Sequence, residues 1–214
     1  MRRVIISLAV LISCSSAASA AVPGLQIAVT AQGVVVSNVP KGGSIVLFSC
    51  SRYSQRRAIA VRPEARVLLD DDRDGVIRYT PPGNIPVRSV WIAVDQSSGE
   101  TAAGAPRDFP LLVRAVGTSD LRKDVQGEIV SLAAALPRLV VLLVSPGNGA
   151  WLLAAFDGES TDRDGKKDGH VELSFGEATS VNGKDKAPNQ VKKDDVIVAI
   201  DPAHLDVFIT QVGR

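Results

Sequence analysis

The sequence has 214 residues, with 24 basic and 23 acidic side chains, nine aromatics, and hydrophobic residues making up 45% of the chain. That length allows one large or two ordinary domains, each with a real core. A net charge near zero removes the electrostatic ground for a polyanionic partner such as nucleic acid.

Arg2 and Arg3 form a short basic segment, residues 4–12 are apolar, and Ala18-Ser19-Ala20 supplies a small-x-small cleavage pattern before Ala21. Residues 1–20 therefore read as a signal peptide, and their apolar run is too short for a permanent transmembrane helix. Leu11-Ile12-Ser13-Cys14 also resembles a lipobox, which would put a lipid anchor on Cys14. The cut after Ala20 is favoured. Either route predicts an exported protein, periplasmic or extracellular, in a compartment that permits disulfides. Removing residues 1–20 leaves Cys50 as the single cysteine, which excludes an internal disulfide. Cys50 closes the apolar run 44–50 and reads as a small core residue on a strand.

Short β-branched runs follow. Leu25, Ile27 and Val29 alternate over 25–30, and further runs occupy 33–39, 45–50, 59–61, 65–69, 76–79, 89–94 and 109–116. Gly, Pro, Asn and Asp separate them, which predicts an antiparallel β-sandwich. In the second half, runs 139–144 and 151–156 flank Pro146-Gly147-Asn148-Gly149, a strong hairpin signal. The breaks in its middle argue for two buried strands and against a membrane span over 139–156. Val171, Leu173 and Phe175 alternate, and runs 196–200 and 205–212 close the chain. Residues 120–136 carry apolar side chains at helical spacing, but Gly127 weakens a helix and 128–132 suits a strand, the preferred reading.

Charge chemistry changes near residue 117. Residues 21–116 carry 11 basic side chains, ten of them arginine, against 8 acidic ones, whereas 117–214 carry 11 basic, seven of them lysine, against 15 acidic. The expectation is two small antiparallel immunoglobulin-sized units, 21–116 and 117–214; one continuous β-sandwich is the alternative. The segment Val90-Trp91-Ile92-Ala93-Val94-Asp95-Gln96-Ser97-Ser98-Gly99 runs a tryptophan-bearing strand into an Asp-x-x-x-Gly turn. On that motif, residues 25–116 resemble a bacterial extracellular immunoglobulin-like or fibronectin type III-like module. The resemblance implies a spacer, adhesion or binding role without catalysis.

Two acidic loops carry the sharpest chemistry. Asp70-Asp71-Asp72-Arg73-Asp74-Gly75 places Asp70, Asp72 and Asp74 at alternate positions ahead of a glycine. Asp157, Asp162, Asp164 and Asp168 do the same over the longer stretch 157–169, which also ends in glycine. Ca²⁺ takes six to eight hard oxygens, and this spacing wraps carboxylates around one point. The longer loop, with four aspartates, is the stronger Ca²⁺ candidate. Neither is an EF-hand: a frame from Asp70 puts Pro81 at its twelfth position, and one from Ser160 puts Val171 there. The competing reading is that Asp and Gly are simply good residues for a solvated hairpin turn.

Catalysis has little support. His170 and His204 sit beside the acidic loop and in a turn, and the sequence contains no Gly-x-Ser-x-Gly, His-Glu-x-x-His or phosphate-cradling glycine loop. Trp91 and Trp151 lie in strand runs and read as core. Arg52, Arg56 and Arg57 surround Tyr53 in a basic cluster that reads as a solvated loop. The expected function is therefore an exported, non-catalytic structural or scaffold protein stabilised by Ca²⁺. The alternative is a Ca²⁺-dependent recognition module whose partner is a protein, peptide or glycan. Exposure of Tyr53 or Trp151 on a concave surface would favour recognition, and burial of both would favour a scaffold.

Overall fold

A computed structural model of the chain describes residues 24–55, 58–115, 122–126, 129–133, 138–162, 164–169, 171–183, 186 and 191–212. Residues 1–20, read above as a signal peptide, and with them Cys14, lie outside the described residues, as do Arg56, Arg57 and His170. Within them the fold is all-β. In the first half the strands are β1 (Gln26–Val29), β2 (Val34–Ser37), β3 (Ser44–Gln55), β4 (Ala58–Leu69), β5 (Val76–Tyr79), β6 (Ser89–Asp95), β7 (Thr101–Gly104) and β8 (Val113–Ala115). Then come β9 (Arg122–Gln126), β10 (Ile129–Ala133), β11 (Arg138–Ser145), β12 (Gly149–Phe156), β13 (Val171–Ser174), a 3₁₀ turn (Phe175–Glu177), β14 (Thr179–Ser180), β15 (Val196–Ile200) and β16 (Val207–Gln211). No described helix is long and apolar enough to cross a membrane.

The strands form four sheets, ordered β1-β2-β5, β4-β3-β6-β7, β14-β12-β11-β15-β16-β8 and β13-β10-β9. Pairings are antiparallel except that of β8 with β16. Three apolar clusters hold the layers face to face. Leu25, Val34, Val36 and Ile77 of the first sheet meet Ile45, Leu47, Trp91 and Ala93 of the second. The other face of the second sheet, with Val46, Phe48, Cys50, Val90, Ile92 and Val94, packs on Val140, Leu142, Val144, Val196, Val198 and Ile200 of the third. This middle cluster joins side chains from both sides of residue 117. The far face of the third sheet, with Leu139, Val141, Leu143 and Ile197, packs on Val171 and Leu173 of the fourth.

Strands covered on both faces need apolar residues at every position, so they read as continuous runs rather than alternations. That is why β11 is Leu-Val-Val-Leu-Leu-Val: odd positions fill one cluster and even positions the other. Each such side chain contributes about 1.5–3 kcal/mol of transfer free energy on full burial. Cys50 is one of these core residues, buried with a free thiol.

Several expected boundaries shift for physical reasons. Runs 59–61 and 65–69 form one strand, β4, through Pro63. Proline removes a ladder donor, and β4 tolerates it because it is an edge strand. β7 has the sequence Thr-Ala-Ala-Gly, without alternation, and was not expected. It follows the Asp95–Gly99 turn, where Asp95 Oδ1 accepts from Ser97 N, Ser97 Oγ and Ser98 N at 2.6, 2.6 and 3.2 Å. A side chain at Gly104 would stand 3.0 Å from Ile27 Cγ2, so the small residue lets β1 close over this strand. The expected strand 109–116 is reduced to β8. Residues 122–126 and 129–133 are strands, with Ile129 opposite Gln126, as preferred over a helix.

Candidate metal site

The chain leaves the second sheet at Leu69 and enters the first at Val76, so the intervening turn must cross between layers. Asp70 sits at the start of that turn and is only 2% exposed. Its Oδ2 accepts from Gly42 N at 3.0 Å and Gly75 N at 3.1 Å, while its own N–H donates to Gly43 O at 3.0 Å. The acidic turn is thereby clamped to the loop between β2 and β3. Arg73 and Gly75 both take left-handed backbone angles, φ 59° and 79°, which turn the chain back on itself.

Three carboxylates converge as a result. Asp70, Asp72 and Asp74 each offer an oxygen, and these oxygens lie within 4.8 Å of one another. Asp70 Oδ1 is buried and has no hydrogen-bond partner. Asp72 Oδ1 accepts from Asp74 N at 3.3 Å, and Asp74 Oδ1 accepts from Val76 N at 2.7 Å. Arg78 Nη1 donates to Asp74 Oδ2 at 3.0 Å. That bond, followed by the Val76 N–H, holds the Asp74 carboxyl below its ordinary value of 3.8. Clustered carboxylates repel, and a buried carboxylate oxygen without a donor is costly to maintain. A hard cation relieves both conditions, so the Asp cluster can hold a metal ion.

No protein-family model and no curated protein matches the chain.

The longer acidic loop is built differently. Asp157 accepts from Asp168 N at 3.2 Å and Gly169 N at 3.1 Å, pinning the two ends of the loop together. Asp162, 3% exposed, accepts from Gly158 N at 3.0 Å. Asp164 takes the Lys166 N–H at 2.9 Å and lies 3.5 Å from Lys166 Nζ. Among the described residues, no three of Asp157, Asp162, Asp164 and Asp168 bring oxygens as close together as the first loop does. Two contributors to the first site were not read from the sequence: the Gly42 amide, and Arg78, whose i,i+4 spacing from Asp74 is visible along the chain.

The remaining candidates fall into place around these loops. Burial, and next the charge of Asp201, push the Cys50 thiol from 9.0 up to about 12, despite Arg52 nearby. The thiolate needed of a nucleophile is therefore not populated at neutral pH. His204 is exposed, with Nδ1 2.6 Å from Asp201 Oδ2. Trp91 is buried and donates to Ser89 Oγ at 3.1 Å, and Trp151 is buried in the outer cluster. Tyr53 is 38% exposed and borders a cavity of ≈ 80 Å³ together with Pro81, Pro82 and Pro86.

Proposed function

We propose that the protein is an exported, non-catalytic β-sandwich protein with a scaffold role, and that Ca²⁺ at Asp70, Asp72 and Asp74 rigidifies it. One observation carries the metal reading: a nearly fully buried aspartate keeps an oxygen without a donor beside two further carboxylates. Three carboxylates supply half of a six-ligand shell, leaving water and backbone carbonyls to complete it. The turn bridges two sheets, so a cation there would brace the layers against each other. The immunoglobulin-like or fibronectin type III-like reading of 25–116 draws support from β1 to β7, packed as sheets of three and four, whereas β8 joins the third sheet. Export follows from the basic, apolar and Ala-x-Ala pattern of residues 1–20.

Isothermal titration of Ca²⁺ into the protein tests the metal assignment. The expected result is one saturable site that Asp70→Asn removes. Absence of binding to the wild type would overturn it. Recognition of a glycan or peptide is the second reading. The exposed ring of Tyr53 beside three prolines favours it, whereas burial of Trp151 leaves that ring without a surface role.

A further inference from the structure

Two rows of side chains face each other across the middle cluster, and each ends on an arginine. Along β3 the row is Val46, Phe48, Cys50 and then Arg52; along β11 it is Val144, Leu142, Val140 and then Arg138. Both arginines border one cavity of ≈ 380 Å³, walled by Val61, Pro63, Ala154 and Phe156. Register places Val61 opposite Arg52, Ala154 opposite Val140, and Phe156 opposite Arg138. The cavity therefore continues the apolar interface between the second and third sheets at the point where its filling stops. Ala154 is exposed although it follows the inward row of β12.

The charges here are not balanced internally. Arg52 donates from Nη1 to the Ala203 carbonyl, while its Nε is buried without an acceptor. The Arg138 guanidinium lies 5.6 Å over the Phe156 ring. Neither arginine is ion-paired among the described residues. The carboxylate in the lining, Asp201, is committed elsewhere: it accepts from Ala203 N at 2.8 Å and meets His204 Nδ1. Leu205 closes the same loop at φ 65° with its side chain in the middle cluster. A bulky residue holds that conformation only where its surroundings impose it.

Both arginines line the cavity without a carboxylate partner among the described residues, and an acidic oxygen is the acceptor that pairs best with a guanidinium. Small-molecule sites span about 300–1,000 Å³, so this cavity suits one chain rather than two. We infer that the cleft binds a single-chain apolar carboxylate, with its tail against Val61, Ala154 and Phe156 and its head on Arg52 and Arg138. A methylene tail recovers the hydrophobic energy that the unfilled interface forgoes, and two guanidiniums select an anion over a neutral or cationic head.

Octanoate is the probe, titrated calorimetrically into the protein in EDTA, with octanol and octylamine as head-group controls. Octanoate is expected to saturate one site, with octanol at least about tenfold weaker, the scale of one charge-assisted hydrogen bond. Arg138→Gln alters an exposed side chain and is expected to weaken octanoate about tenfold at unchanged melting temperature. Ala154→Trp fills the cleft from an exposed position and is expected to abolish binding, with circular dichroism reporting the retained fold. Failure of octanoate to saturate, equal binding of octanol, or wild-type affinity in folded Ala154→Trp would each overturn the assignment. Equal octanol binding would mean that the arginines merely cap the core with their stems.

Discussion

Replacing Asp70 by asparagine separates the metal from the turn that holds it. Asparagine keeps an oxygen for the Gly42 and Gly75 amides, now 3.0 and 3.1 Å from Oδ2, but removes the charge. Two charge-assisted bonds become neutral ones of about half the strength, a loss of about 1–2 kcal/mol without metal. Relief of repulsion from Asp72 and Asp74 offsets part of that loss. With Ca²⁺ at 100 times its Kd, the wild type gains about 2.7 kcal/mol by mass action. For a chain of this size that raises the melting temperature by about 5–11 °C. The variant retains two carboxylates and is expected to lose most of this gain. Scanning calorimetry in EDTA and in millimolar CaCl₂ reads the difference directly. MgCl₂ serves as the control, because Mg²⁺ demands near-octahedral geometry and dehydrates reluctantly. A wild-type melting temperature identical in EDTA and Ca²⁺ refutes the reasoning. So does a variant that shifts as far as the wild type.

Four further outcomes follow from named contacts. Arg78 competes for Asp74 Oδ2, so Arg78→Gln is expected to tighten Ca²⁺ binding by calorimetry, and only modestly, because the pair is exposed and screened by solvent. Arg78 holds the Asp74 carboxyl below 3.8, so the pair stabilises the protein above that pH and ceases to do so as pH falls through the lowered folded value. Urea titrations of wild type and Arg78→Gln in EDTA should therefore differ near neutrality and converge on acidification. Cys50, with its thiol raised to about 12, should resist iodoacetamide at pH 8 until the protein unfolds; rapid labelling of the native state would contradict its burial. Phe48→Ala empties the centre of the middle cluster and is expected to cost about 3–5 kcal/mol in urea titration.

The two acidic loops show where sequence reading stops. Both carry alternating aspartates ahead of glycine, and the longer one is preferred on its four candidate ligands against three in the shorter. Its aspartates spend their oxygens on the loop's own backbone: Asp157 reaches Asp168 and Gly169, and Asp162 reaches Gly158. In the shorter loop, a backbone amide 28 residues away in sequence fixes Asp70 and leaves its second oxygen facing no donor. Counting carboxylates measures local charge, whereas gathering them depends on which distant loop closes over the turn. Strand existence was far more legible, because the period of the apolar pattern is a local property. β5 and β15 appear at the residues expected, while β7 escaped because small side chains facing β1 leave no alternation to read.

The same periodicity also explains the hydrophobicity that brings residues 139–156 near the composition of a membrane segment. Stacking four sheets gives the two inner ones a buried surface on each face, so the doubly covered stretches 45–48, 90–94, 139–144 and 196–200 are apolar throughout. Such a core compensates for the missing disulfide without requiring a bilayer. It also makes any interruption of an inward row conspicuous. Arg52 and Arg138 stand where the period demands an apolar residue, at facing ends of the same cluster and beside space that a leucine or phenylalanine would have filled. An edge of the core closed only for stability would favour apolar side chains there. Arginine in both rows instead suits an anionic ligand at that end of the interface, where no described carboxylate pairs with either guanidinium.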